Sequence, residues 1–233
     1  MQIKKHIPNT ITLLNLASGL LAVIALGIFF DFWDGFLARK FKVSGELGLQ
    51  LDSLADVVTS GVVPGLMMFK LFQDIQEDDT SKYFLTEEFY YMGFVPYLGF
   101  IITLASAYRL AKFNIDMRQT ESFIGLPTPA NALLIMSIPM IQYAGTHEWL
   151  VEALYNPFIL LAITILSAYM LNAEIPLFSL KMKDFSWEKN KLQVIFLALS
   201  VVLLFLIGFT ALPVIILLYV ALSVINNTVL AKK

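Results

Sequence analysis

The sequence predicts an all-α fold, a polytopic membrane helix bundle of about seven spans in a single domain over residues 1–233. Three observations lead there. The chain is 58% hydrophobic and only 15% charged, with a mean hydropathy of +0.74, where a soluble domain carries about 25% charged residues. Apolar runs of spanning length recur along it. The short loops between them alternate in lysine and arginine content.

Crossing a bilayer takes ~20 mostly apolar residues, and the runs at 10–33, 54–73, 91–111, 128–145, 154–173, 191–209 and 212–230 supply them. Pro127 and Pro129 mark a helix entry into the fourth. The loops orient the set by the positive-inside tendency. Arg39, Lys40 and Lys42 place the loop before the second span in the cytoplasm, and Arg109, Lys112 and Arg118 do the same after the third. Lys181, Lys183, Lys189 and Lys191 follow between the fifth and sixth spans, then Lys232 and Lys233 at the end. Residues 74–90, with Asp74, Glu77, Asp78, Asp79, Glu87 and Glu88 against Lys82, read as outside, as does the stretch 146–152.

Composition also excludes. There is no cysteine, hence no disulfide, thiolate metal site or cysteine nucleophile. The two histidines, His6 and His147, are too few and too far apart for a zinc site. A net charge of −2 argues against a nucleic-acid partner. No cleavable signal is visible, since the first apolar run leads into charged residues rather than a small-residue cleavage site. The 19 phenylalanines, nine tyrosines and three tryptophans read as lipid-facing or interfacial side chains.

Four aspartates stand out against this background. Asp31 and Asp34 are three apart, and Asp52 and Asp56 four apart, so each pair lies on one helix face. Ionisable groups within membrane segments are functional candidates by default. Four facing carboxylates would repel, and a hard divalent cation such as Mg²⁺ or Mn²⁺ in an all-oxygen cage is the simplest remedy. Gly35, Ala38 and Gly48 leave room beside the carboxylates for a ligand or a second backbone. Arg39 suits a phosphate held by the same metals, while Lys40 and Lys42 are explained by topology alone. Arg109 is either a topology charge or the holder of a phosphate or carboxylate. Asn9, Thr12 and Asn15, at helical spacing, either contact a nucleotide or bond between helices.

The run from Asp31 to Asp56 resembles the signature of the CDP-alcohol phosphotransferases, D-x2-D-G-x2-A-R-x8-G-x3-D-x3-D, at every fixed position. Four further segments resemble the membrane-embedded bacterial and archaeal phosphatidylserine synthases of that family: Ile7–Asn15, Val57–Pro64, Arg109–Asn114 and Phe123–Pro129. The resemblance covers roughly residues 7 to 132. It implies transfer of a phosphatidyl group from CDP-diacylglycerol to L-serine, giving phosphatidylserine and CMP, with two Mg²⁺ or Mn²⁺ ions bridging the diphosphate. Asp31, Asp34 and Asp52 would be shared metal ligands. Asp56 would complete the second metal site and act as the general base. Gly35 and Ala38 would admit the cytidine. The resemblance further implies a homodimer in the bacterial or archaeal cytoplasmic membrane, its active site facing the cytoplasm. Serine as acceptor rests on the resemblance alone. Glycerol 3-phosphate or inositol phosphate are alternatives within the family, and a divalent-cation transporter is one outside it.

One expectation departs from the family pattern of two spans before the motif. Residues 10 to 33 suffice for one crossing, since a helix rises 1.5 Å per residue. A continuous helix from about residue 10 to 37 is expected, with a span's length of sequence missing near Leu26–Gly27 and Asn9, Thr12 and Asn15 carried away from the aspartates.

Overall fold

The structure is a computed structural model that describes residues 23, 24, 26–30, 33, 36, 37, 40, 41, 45–77, 93–116, 123–145, 147–178 and 187–227. Asp31, Asp34, Gly35, Ala38 and Arg39 lie outside the described residues, as do Asn9, Thr12 and Asn15 and the expected start of the first helix. So do Arg118, Lys181, Lys183, Lys232 and Lys233.

The described chain is mostly helical. Around the motif, the described positions from Val23 to Phe41 are helical. Then come α1 (Glu46–Asp56), a π-turn (Val57–Val62) and α2 (Val63–Glu77). These three run on as one unbroken helix, Glu46–Gln76, of 31 residues. At 1.5 Å per residue it is roughly 45 Å long, well over a ~30 Å hydrocarbon core. Its polar start, with Glu46, Gln50, Asp52 and Ser53, therefore extends past the apolar stretch read from the sequence as 54–73.

A 3-10 turn (Val95–Gly99) leads into α3 (Phe100–Ile115), which packs along the α1–α2 helix. The two meet closely because the crossing is lined by glycine. A Cβ on Gly99 would stand 2.5 Å from the Phe69 amide nitrogen, and one on Gly61 would stand 3.1 Å from Ser106 Cβ. Such small-residue contacts let backbones approach where lipid gives no hydrophobic drive for association.

Next is a two-residue strand β1 (Phe123–Ile124), then α4 (Thr128–Ala144), with Pro127 as its N-cap and a left-handed Gly145 (φ 61°) ending it. A short helix α5 (Glu148–Leu154) is bent by 74° from α6 (Pro157–Asn172). The sequence reading took most of α5 as an outside loop. Strand β2 (Pro176–Leu177) pairs antiparallel with β1, Phe123 opposite Leu177 and Ile124 opposite Pro176. This clip ties the entry of α4 to the exit of α6.

Helix α7 (Trp187–Ile207) and helix α8 (Ala211–Ile225) flank a 3-10 turn, Gly208–Thr210. Asn190–Ile225 is one 36-residue apolar stretch with mean hydropathy 3.0, yet it is not a single rod. The Phe196 and Tyr219 rings are 5.6 Å apart, whereas 23 residues of straight helix would separate them by about 35 Å. The chain therefore doubles back at Gly208, whose φ of 56° suits glycine.

By length and composition two helical stretches can cross a membrane, Glu46–Gln76 and Asn190–Ile225, and the bent α5–α6 pair is a third. Large apolar side chains are exposed along them, Phe205 at 88% among the most exposed, which suits lipid contact. The core lies between α2, α4 and α6, around Met67, Met68, Phe72, Ile135, Met136 and Leu160, and includes Ile24. A second cluster joins Leu126, Leu177 and Phe178 to Phe196, Ile216 and Tyr219 of the C-terminal hairpin.

Candidate active site

Asp52 and Asp56 sit one turn apart on α1, both partly buried. Helical backbone at both makes the four-residue spacing a shared face. The helix is anchored there to α3. Ser53 Oγ donates to Asn114 Oδ1 at 3.1 Å and accepts from Asn114 Nδ2 at 2.9 Å, and Asn114 Nδ2 also reaches Gln50 Oε1 at 3.4 Å. Ser53 lies between the two aspartates in sequence, so these bonds fix the rotation of the turn that bears them.

Immediately after Asp56 the helix widens into the π-turn. Such turns hold an extra residue and recur at functional sites. Thr59 Oγ1 donates back to the Ala55 carbonyl at 3.1 Å, and Thr103 Oγ1 on α3 donates to the Gly61 carbonyl at 3.0 Å. These hydroxyls satisfy backbone groups at the widened segment.

Arg109 is 7% exposed on the α3 face that meets this segment. Asp56 and Tyr219 are both within electrostatic reach of it. Its Nε has no hydrogen-bond partner among the described residues. A buried guanidinium needs an anion or acceptors to offset the loss of water, so burial favours the ligand-holding alternative over a topology charge. Lys112, one turn fraction further, is turned elsewhere: its Nζ bonds Glu174 at 3.1 Å.

The rim comes from the β1–β2 clip and the C-terminal hairpin. Gly125 N donates to Ile175 O at 2.9 Å and Leu126 N to Met170 O at 2.8 Å. Tyr219 Oη donates to Phe178 O at 2.8 Å, and the two rings meet edge-on at 4.9 Å. Sequence reasoning missed Ser53, Ser106 and Tyr219, for an isolated serine or tyrosine in an apolar run has no motif to single it out.

Of the proposed cage, the described residues thus supply Asp52 and Asp56, with Arg109 within electrostatic reach of Asp56; Asp31, Asp34, Gly35, Ala38 and Arg39 are outside the described residues. No group of three or more potential metal ligands occurs among the described residues. The two carboxylates that are described form an all-oxygen donor pair one turn apart, which fits a hard divalent cation. Gly48 meets no described atom within 4 Å of an added Cβ, so it does not serve a close contact among the described helices.

Comparison with known proteins bears on the same residues. The profile of the CDP-alcohol phosphatidyltransferase family matches residues 5–161. The chain is 32% identical over 176 residues to the CDP-diacylglycerol–serine O-phosphatidyltransferase of Bacillus subtilis, covering 68% of this chain and 81% of that protein. It is 34% identical over 137 residues to the protein of the same name from Methanocaldococcus jannaschii, covering 56% and 58%. To the archaetidylserine synthase of Methanothermobacter thermautotrophicus it is 28% identical over 177 residues, covering 69% and 66%. With its aspartate run, its helical architecture and the greater part of its length accounted for, the chain belongs to the CDP-alcohol phosphatidyltransferase family.

Proposed function

We propose that this protein transfers the phosphatidyl group of CDP-diacylglycerol to the hydroxyl of L-serine, giving phosphatidylserine and CMP. The observation that carries this reading is the Asp52–Asp56 pair on one helical face with buried Arg109 within reach of Asp56, in a chain similar to proteins named CDP-diacylglycerol–serine O-phosphatidyltransferase from a bacterium and an archaeon. Asp31, Asp34, Asp52 and Asp56 would hold two Mg²⁺ or Mn²⁺ ions. Bound there, the ions would neutralise charge on the diphosphate and on the departing CMP. Gly27 supports the cage. Four residues before Asp31, it lies against Thr59, three residues after Asp56, its added Cβ 2.9 Å from Thr59 Cγ2.

The residues divide the work. Asp56 accepts the proton of the serine hydroxyl as that oxygen bonds the phosphorus bearing diacylglycerol. The bond from this phosphorus to the bridging oxygen breaks, and CMP leaves with the electron pair. Free aspartate is a weak base for a hydroxyl, so a fixed position beside the serine hydroxyl must supply the difference. Arg109 holds an anionic part of a substrate, Arg39 pairs with phosphate, and Gly35, Ala38 and Gly48 leave room for the nucleotide. The acyl chains remain in the bilayer, which explains why the site is built among membrane helices. The loop charges orient the seven-span bundle with this site toward the cytoplasm of a bacterial or archaeal membrane. A phosphorylated acceptor such as glycerol 3-phosphate calls for more cations, and the Lys112–Glu174 pairing leaves fewer for it.

Purified protein given CDP-diacylglycerol, Mn²⁺ or Mg²⁺ and a panel of alcohols tests this directly. CMP release dependent on L-serine and on metal is expected. Release with glycerol 3-phosphate or inositol phosphate and none with serine would overturn the assignment.

A further inference from the structure

Two polar side chains on α3 remain unaccounted for by the motif. Ser106 is fully buried, at 0% exposure, and its Oγ has no hydrogen-bond partner among the described residues. Arg109, three residues on, is buried with its Nε in the same condition. At helical spacing of three the two share a face, and that face is toward the π-turn. An added Cβ on Gly61 would meet Ser106 Cβ at 3.1 Å and its Oγ at 3.7 Å, and Asp56 is within electrostatic reach of Arg109. An unmade hydrogen bond on a buried hydroxyl costs about 1–3 kcal/mol, so two such donors side by side call for a shared acceptor.

We infer that Ser106 is a specificity-determining residue that, together with Arg109, takes the carboxylate of the acceptor amino alcohol. This rests on the proposed acceptor being serine and names how the site recognises it. The order along the helices fits. Ser53 is bonded to Asn114, and Gly61 lies beside Ser106, so depth along α3 increases from the level of Asp56 through Arg109 to Ser106. A carboxylate held by the deeper pair leaves the hydroxyl of the same small molecule directed back to Asp56. Both donors are N–H or O–H groups that lack acceptors, which matches an anion and not the ammonium end of serine. Gly61 is needed because a side chain there would press on Ser106 from the opposite helix.

Ser106→Ala removes a hydroxyl that bonds nothing among the described residues, so the melting temperature in detergent should be unchanged. The KM for L-serine should rise about tenfold or more, the factor for one hydrogen bond to a charged group. The KM for CDP-diacylglycerol should stay put. L-alanine, which keeps the carboxylate and lacks the hydroxyl, should inhibit the wild type, and its Ki should rise in step. L-serinamide, which lacks the carboxylate, should compete equally against both proteins. An unchanged serine KM overturns the inference, as does equal weakening of alanine and serinamide or no inhibition of the wild type by alanine. A wild-type protein that releases no CMP with serine sinks the acceptor reading itself, a result distinguishable from all of these.

Discussion

Asp52 and Asp56 occupy one face of α1, and the physical consequence is sharpest at Asp52. Replacing Asp52 with asparagine keeps the volume and removes the charge that would hold a cation. Loss of one such electrostatic element commonly costs about 10²–10³ in turnover. Asp52→Asn should therefore release CMP at about 1% of the wild-type rate or less at saturating Mn²⁺ while its helicity is unchanged; near-wild-type release would remove Asp52 from the metal site. Arg109 invites a different substitution. A guanidinium offers a fork of donors that an ammonium cannot reproduce, so Arg109→Lys should raise the requirement for serine while retaining charge. Steady-state kinetics with both substrates varied decides it, since unchanged constants would return Arg109 to a topology role. The aspartate pair was legible in the sequence because spacing alone defines a helix face. Burial of Arg109 was not, because a cation at the end of an apolar run serves topology equally well until its neighbours are known. Ser106 left no trace at all, being one serine among apolar residues.

At the level of elements, hydropathy located helices well where apolar run and helix coincide. The run 128–145 is the helix Thr128–Ala144, entered through Pro127 and Pro129, and the runs 191–209 and 212–230 are α7 and α8 to within a few residues. It failed where a helix leaves the apolar layer. The Glu46–Gln76 helix begins eight residues before the run read at 54, because hydropathy reports the bilayer and the backbone hydrogen bonds continue beyond it. The β1–β2 clip, two residues on each side, is too short to show any period. The π-turn has no sequence signature either; the extra residue becomes visible only in the backbone. The packing of α3 on α2 gives a paired prediction. At Gly99 an added methyl meets fixed backbone, Phe69 N at 2.5 Å and Gly65 O at 2.9 Å, and such overpacking costs about 1–3 kcal/mol. At Gly48 it meets nothing described. Gly99→Ala should lower the unfolding temperature in detergent by several degrees, with Gly48→Ala unchanged. Equal temperatures for the two would show that the crossing relaxes without strain.

For the whole molecule, the decisive question is which ends of the helices share a side of the membrane, since the proposed site requires Asp52, Arg109 and the α4 entry to face the cytoplasm together. The C-terminal hairpin offers the cleanest test. Phe178, Phe196 and Tyr219 stack across it with ring separations of 4.9 to 5.9 Å, which a straight 36-residue helix could not allow. The turn at Gly208–Thr210 must then emerge opposite the ends at Lys191 and Asn227. Tyr219 Oη also bonds the Phe178 carbonyl, and Phe178 N bonds Ser223 Oγ at 3.4 Å, fastening the open end of the hairpin to the strand that borders the site. The chain contains no cysteine, so single cysteines can be placed without background. In intact cells or sealed right-side-out vesicles, Phe209→Cys should react with a membrane-impermeant maleimide. Lys191→Cys and Asn227→Cys should react only after permeabilisation, as should Glu46→Cys at the exposed start of α1. Labelling of Lys191→Cys and Asn227→Cys from opposite sides would show that the stretch crosses the bilayer as one rod, and labelling of Glu46→Cys from outside would turn the aspartates away from the cytoplasm and defeat the proposed orientation.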